Sequence, residues 1–459
     1  MTVDAQDFKE RRSSVRCYKI GSNTSGIYVP VSSVSLDYSS VDMAVGETLS
    51  LEASVAPGNA TDKNIVWLSS NTAVASVQGG VVTARKEGAA TIMATCGGCV
   101  ATCYVNVVAV PDKDGAVDLD YEGRSANCYI ISEKGCYRFR PVKGNSSVSV
   151  GDVASVEVLW ESFATEDVPL VGEILREVIF EDGYVYLWTS EEYKKGNALV
   201  AAKGADGTIL WSWHIWLTDV PGENVYADGA GTLMDRNLGA VSALPDEAGA
   251  FGLLYQWGRK DPFLGRASLM RTDMKASSSV QVGGYETEDE ETGTVAYSVT
   301  HPATLIAAKG YNGYGDWLFD ESGKDGEYYR WKSEKTMYDP CPAGWRVSDG
   351  GYGSVLYRSG VLSQPYETVQ GGIVLPSGYC GGASAYFPAS GKLMGRTITA
   401  SGVAYSPLYL WGTGSAVCWT VSPMHQGAPT SFYTLDFAGT DSYMEYDPCE
   451  GLPVRCQKE

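Results

Sequence analysis

The run "VSSVSLDYSSVDMAVGETLSLEASVAPGNATDKNIVWLSSNTAVASVQGGVVTARKEGAATIMATCGGCVATCYVNVV", Val31 to Val108, decides the fold class. Apolar and polar residues alternate in short stretches that stop at Gly46-Glu47, Pro57-Gly58-Asn59, Gly79-Gly80 and Gly97-Gly98. A period of two marks strands with one buried face, and glycine pairs supply turns that need a positive φ. Trp67 is the one large aromatic available to fill a small β-sandwich. The same texture continues through the 459 residues, with 53 glycines, 29 tyrosines and few apolar stripes at helical spacing.

Composition narrows the function classes. A net charge of -20, from 35 basic and 55 acidic residues with no basic run, argues against nucleic acid and anionic membrane as partners. No stretch approaches the roughly 20 apolar residues that a membrane-spanning helix needs. The opening "MTVDAQDFKERR" lacks the apolar core of a secretory leader, which fits a mature fragment as well as a cytoplasmic chain. Eleven cysteines are an odd count, so at least one thiol is expected to be free or paired outside the chain.

The chain divides by composition. Residues 1–28 form an N-terminal segment, 29–109 the first sandwich, and 110–120 a charged, proline-containing linker. Residues 121–220 alternate throughout and carry hairpin signals at Glu133-Lys134-Gly135, Glu181-Asp182-Gly183 and Ala205-Asp206-Gly207, which predicts a second β-sandwich. From Pro221 to Glu459 the texture changes, and "YDPCPAGWRV" (Tyr338 to Val347) stands out. Both prolines fix φ and neither donates a hydrogen bond, so Cys341 is expected in a stiff, extended turn. "VRCYK" (Val15 to Lys19) echoes "VRCQK" (Val454 to Lys458), either by chance or as the last strand of an upstream copy of the same domain.

Two resemblances follow from these residues. "V.SV.L" and "GET..L.A.V.P..AT...V.W.SSN..VASV..G.VTA...G.ATI.A" in Val31–Val108 closely resemble the bacterial immunoglobulin-like group 2 domain, which implies a spacer or adhesive module on a secreted surface protein. In the last segment, "LMDRNLGA", "GLLYQWGRKDPF", "YDPCPAGWRV", "FPASG", "YLWGTG", "SFYTLDF" and "GLPVRCQKE", in this order, resemble the Fibrobacter succinogenes major paralogous (FISUMP) domain of surface and pilus-tip proteins. The "GWR" turn and late "RC" ending imply an α+β, C-type-lectin-like domain with long loops. Ser348-Asp349 departs from the proline usual in that family after "GWRV", which implies a short or displaced helix there. The cysteines of "DPCP" and "VRC" are regular features of the family, so the resemblance implies a disulfide between Cys341 and Cys456.

Each residue group that could carry chemistry also has a plainer reading. "CGGCVATC" (Cys96 to Cys103) offers three thiols and no fourth ligand, which favours a hairpin disulfide Cys96–Cys99 or plain thiols over a metal. Cys128 and Cys136 read as small buried groups, not mates. His214, His301 and His425 are the only histidines, and no nucleophile frame accompanies them, His425 with Cys418 included. His214 in "LWSWHIW" reads as packing. The acidic run Glu286–Thr294 reads as a solvated loop, with calcium the weaker alternative because no EF-hand, "WND" or "EPN" frame is present.

Tryptophans 317, 331 and 345 are expected in the core. The glycine-flanked tyrosines Tyr311, Tyr314, Tyr328, Tyr329, Tyr352, Tyr405 and Tyr409 are the candidate ligand-binding aromatics, because loops carry recognition on a rigid scaffold. The expectation is therefore a multidomain surface protein, two immunoglobulin-like sandwiches followed by a lectin-like head, extracellular on an outer membrane or fimbrium. It would lack catalysis and a resident cofactor, and its partners would be a glycan, a host or bacterial surface protein, or pilin subunits. The alternative is a surface-anchored glycan-binding protein for polysaccharide capture.

Overall fold

The computed structural model describes residues 28–108, 113–165, 167, 169–170, 172–245, 247–265, 284–309, 315–319, 330–369, 371–382, 384–400, 403–405, 410–411, 416–425, 428–436 and 445–459, with residues 398–400, 403–405, 410–411, 417, 422–425, 428–436 and 445 as backbone. The chain forms two compact units, Met1–Asp112 and Lys113–Glu459. Both are mostly β, in several sheets. Among the described residues helices are few and short, Val295–Thr300 and Val355–Arg358 being the α-helical ones.

In the first unit a four-stranded sheet runs in the order Ser40–Ala44, Cys99–Val108, Gly88–Cys96, Val66–Ser69. It faces a three-stranded sheet of Thr48–Ser50, Val81–Ala84 and Ala75–Gln78. The alternation predicts the faces well: Ala90, Ile92, Ala94 and Cys96 point inward along one strand, and Cys103, Val105 and Val107 along its neighbour. Trp67 packs at the edge of the core. Gly80, at φ +90°, lets the chain pass beneath that ring; a Cβ there would lie 2.9 Å from the Leu51 carbonyl oxygen and 3.2 Å from the Trp67 ring.

The second unit contains the second sandwich. One sheet runs Val117–Asp118, Cys136–Phe139, Tyr184–Thr189, Leu175–Glu181, and the other Cys128–Ile131, Ile209–Leu217, Gly196–Lys203, Ser155–Ser162. Between them lie Phe139, Leu187, Val200, Trp211, Trp213 and Ile215, with Phe139 edge-on to Trp213 at 5.0 Å. The signals at Asp182-Gly183 and Asp206-Gly207 close hairpins. The signal at Glu133–Gly135 does not, a correction to the sequence reading. Cys128–Ile131 pairs in parallel with Ile209–Leu217, whereas Cys136–Phe139 pairs with Tyr184–Thr189, so this turn carries the chain from one sheet to the other. The run Cys-Tyr-Ile-Ile is apolar at every position and fits a strand covered on both sides, which a hairpin edge would not supply.

The sheet containing Ile209–Leu217 is buried on both faces. Its far side, with Cys128, Trp160, Leu199 and Trp216, packs against Tyr255, Trp257, Trp331, Val347, Trp419 and Val454. Hence one core runs through position 220/221, and the residues after it complete the sandwich instead of hanging from it. Asn127 shows the interlock at one side chain. Its Nδ2 donates to the carbonyls of Met337 (2.8 Å) and Asp339 (2.9 Å), and its Oδ1 accepts from Trp211 Nε1 at 3.0 Å. Gly144 leaves it room, since a Cβ there would fall 2.1 Å from Asn127 Oδ1. Asn127→Ala orphans these buried groups and is expected to lower stability by about 2 kcal/mol, at the cost of an unsatisfied buried donor; an unchanged denaturation midpoint would contradict the interlock.

Beyond the sandwich, a sheet runs Glu223–Tyr226, Gly231–Met234, Cys456–Lys458, Trp345–Val347, and a second runs Leu254–Gln256, Gly451–Pro453, Lys392–Leu393, Leu410–Trp411. After Ser348-Asp349 come a 3-10 turn, Gly351–Gly353, the four-residue α-helix Val355–Arg358, capped by Ser354, and a second 3-10 turn, Val361–Ser363.

Candidate functional site: the pocket at the disulfide-clamped turn

Cys341 and Cys456 form a disulfide, their Cα atoms 6.0 Å apart. Both are fully buried. The turn between them and the sheet is fixed by two charged side chains that the sequence reading did not single out. Asp339 Oδ1 accepts from the Cys341 N–H at 2.8 Å and Oδ2 from the Val347 N–H at 2.9 Å, so this carboxylate satisfies two backbone donors of the turn. The aspartate before a proline was the available signal, because Asp bonds to backbone two residues on in turns. Lys335 Nζ donates to the carbonyls of Cys341 (3.0 Å), Pro342 (2.6 Å) and Trp345. Burial pushes the Asp339 carboxyl up from its ordinary range, against Lys335 and the two N–H groups. It holds the Lys335 ammonium down, against Asp339 and Glu459.

The outer side of this turn forms one wall of an open pocket of about 340 Å³. Ala343 and Gly344 supply that wall, Lys335 its base, and residues 123–125 and 145–147 of the sandwich portion the opposite side. Asn145 stands at φ +56°, a left-handed position asparagine tolerates, and its Nδ2 reaches the Thr336 carbonyl at 2.7 Å. Arg140 crosses the pocket floor, with Nε on Asp120 Oδ2 (2.6 Å) and Nη2 on the Gly123 carbonyl (2.6 Å). At the mouth, Arg124 faces Glu459 at 3.3 Å and Glu122 at 3.8 Å, its side chain half exposed. Arg124, Arg140, Lys335 and Glu459 are far apart in sequence, and no motif joins them. The arrangement can hold a polar ligand by charge and hydrogen bonds.

The tyrosines selected from sequence are distributed differently. Tyr311, Tyr314, Tyr328, Tyr329 and Tyr409 lie outside the described residues, and Tyr405 lies on the strand Val403–Tyr405, described as backbone. Tyr352 is 75% exposed and meets Tyr357 edge-on at 4.8 Å, away from the pocket lining. Trp317 and Trp331 are buried, and Trp345 packs partly buried against the core.

The remaining candidates also have definite places. Cys96 and Cys99 stand opposite each other in register, but both are free thiols, which corrects the hairpin disulfide: Cys96 Sγ turns to the Asp62 carbonyl and Cys99 Sγ to that of Val31. Cys418 is buried, and burial pushes its thiol up to about 11, the wrong direction for a nucleophile at neutral pH. His301 lies at the end of Val295–Thr300, stacked on Tyr297 at 3.9 Å. In the acidic run, Asp289 Oδ1 accepts from the N–H groups of Glu291 and Thr292, closing its own turn. Among the described residues, no group of His, Cys, Asp and Glu could hold a metal ion.

The first unit is a bacterial immunoglobulin-like domain of group 2: residues 30–104 match that family. Over 74 residues the chain is 46% identical to a 3-O-alpha-D-galactosyl-alpha-L-arabinofuranosidase of Bifidobacterium longum subsp. longum, a match covering 16% of this chain and about 6% of the relative's length. Solved structures similar to the chain include domains 5-6 of the S-layer protein SbsC (19% identity, 41% of this chain, 98% of that one, TM-score 0.17). Another is the titin Ig tandem A164-A165 (12% identity, 42% and 100%, TM-score 0.14). Likenesses at these scores carry no weight for the second unit.

Proposed function

We propose that this is a non-catalytic, adhesin-like surface protein, extracellular on an outer membrane or fimbrium. In this reading the immunoglobulin-like unit is a spacer and the second unit recognises a glycan or a protein surface, at a pilus tip among pilin subunits. The pocket at the disulfide-clamped turn carries the proposal, because the wall formed by that turn is held from behind by a crosslink, a buried aspartate and a half-buried lysine. Such preorganisation lowers the cost of ordering that wall when a partner binds. The crosslink itself suits an oxidising, extracellular compartment. We read residues 221–459 as a FISUMP-type recognition domain with C-type-lectin-like character, on the ordered motifs quoted above. No helix among the described residues is long and apolar enough to cross a membrane.

A second reading, capture of polysaccharide for uptake, draws support from the relative matched over 74 residues, which is named as a glycosidase. Titration of the whole chain with a panel of soluble plant and host glycans, with and without calcium, tests both. Saturable binding without loss of substrate is expected. Release of reducing sugar would move the protein to the hydrolases, and indifference to every glycan would leave protein surfaces as the partner.

A further inference from the structure

Resting on the recognition reading above, the pocket's chemistry points to a narrower ligand. A chain of net charge -20 gathers three cations around one cavity: Arg124, Arg140 and Lys335. Their commitments differ. Arg140 is engaged by Asp120 at 2.6 Å. Lys335 spends its three donors on carbonyl oxygens, and the Asp339 and Glu459 carboxylates act on its charge through space without a hydrogen bond. Arg124 is loosely held, its carboxylate neighbours at 3.3 and 3.8 Å where a tight charge-assisted bond closes to about 2.7–2.9 Å.

Glu459 at the mouth is therefore informative. It shows where a carboxylate settles against Arg124, and it also offers an acceptor that would repel a dianion. Ser125, Ser146, Ser147 and Asn145 add hydroxyl and amide groups to the lining; the Ser125 and Ser146 hydroxyls and Asn145 Nδ2 donate to backbone carbonyls, so the serines meet a ligand hydroxyl as acceptors. Tyr121, 55% exposed, lies outside the lining and supports the Arg124 guanidinium from behind, its ring centre 5.5 Å from the cation. Gly123 and Gly344 leave the walls open, with nothing within 4 Å of a Cβ built on either. The volume of about 340 Å³ lies at the lower end of small-ligand clefts, roughly 300–1,000 Å³. A bare phosphate would leave most of it empty and would meet Glu459 as a like charge.

We propose that this pocket binds an acidic sugar of the uronic- or sialic-acid type, its carboxylate on Arg124 in place of Glu459 and its hydroxyls on the serine and asparagine lining. Lys335 supplies the positive potential beneath the ring, and Glu459 acts as an internal competitor that keeps the empty site from holding simple anions.

The competitor gives the test two opposite signs. The full chain is titrated at millimolar sugar with glucuronic acid, N-acetylneuraminic acid, glucose and inorganic phosphate, by calorimetry or NMR. Arg124→Ala is expected to weaken acidic-sugar binding about tenfold or more, the loss of a charge-assisted contact, and Glu459→Gln to tighten it several-fold. Neither variant is expected to shift the melting temperature appreciably, because exposed ion pairs contribute little. Acidic-sugar binding indifferent to both substitutions would overturn the pocket assignment while leaving the recognition reading intact. Equal binding of glucose, or of phosphate with the same dependence on Arg124, would overturn the acidic-sugar assignment. So would a wild-type chain that binds neither acid, in which case the broader glycan panel still decides the recognition reading.

Discussion

The Cys341→Ala/Cys456→Ala double variant is expected to unfold with about 4–5 kcal/mol less free energy than the wild type, the chain-entropy value for opening a loop of this size. The two cysteines are 115 positions apart, so the crosslink removes most of the extended states open to the second unit once unfolded. Both sulfurs are buried, and alanine adds a small packing loss to the entropic term. The folded turn should survive, since Asp339 and Lys335 hold its backbone independently of sulfur. Guanidinium titration followed by tryptophan fluorescence reads the second unit selectively, because Trp67 is the only tryptophan before residue 113. A midpoint equal to that of the oxidised wild type would mean that the crosslink constrains nothing the tertiary contacts do not already constrain.

Acid should destabilise the second unit through His214. The imidazole is fully buried on the strand Ile209–Leu217, its Nε2 2.8 Å from Asn197 Oδ1 and its Nδ1 3.5 Å from the Tyr255 hydroxyl. Asn197 Nδ2 donates to the Gly239 carbonyl, which leaves Oδ1 as acceptor and makes Nε2 the protonated nitrogen. Burial lowers the histidine pKa to about 3. In the unfolded chain the ordinary value near 6.5 applies, so the unfolded state binds the extra proton first. Stability from this group is thus complete above about pH 6.5 and falls by about 1.4 kcal/mol per pH unit below it, levelling off only near pH 3, for a total on the order of 5 kcal/mol. His214→Gln keeps a donor for Asn197 and should flatten that slope. Buried Asp339, raised by burial, contributes in the opposite direction in both proteins, so the difference between the two curves isolates the histidine. Parallel curves between pH 7 and pH 4 would show that His214 takes up its proton while folded.

His214 also marks the limit of what the pattern revealed. In "LWSWHIW" the period of two separates Trp211, Trp213 and Ile215 from Ser212, His214 and Trp216 correctly. Such a pattern does not say what covers the second face. The structure covers it with residues 253–264 and beyond, and its polar members are met by polar partners: Ser212 by Asp261 at 2.6 Å and Lys260 at 2.5 Å, and His214 by Asn197 and Tyr255. The turn at Glu133–Gly135 was misread for a related reason, since glycine after charged residues specifies a reversal but not whether the chain returns to the same sheet. For the candidate site, the sequence exposed Cys341 through its prolines and Cys456 through a resemblance, but not Arg124, Arg140, Lys335 or Glu459, which carry no local signature.

In the first unit the sequence located strands by alternation and the hairpin turns at 79–80 and 97–98 by glycine pairs, which are local preferences, whereas the parallel pairing of Ser40–Ala44 with the strand Cys99–Val108 joins segments about 64 positions apart. The burial of the second sandwich on both faces, the pocket beside the clamped turn and the charge collected there were settled only by tertiary packing. Burial and electrostatic potential depend on which distant segments come together, and a one-dimensional pattern records a residue's preference for an interior or a surface without naming the partner that supplies it.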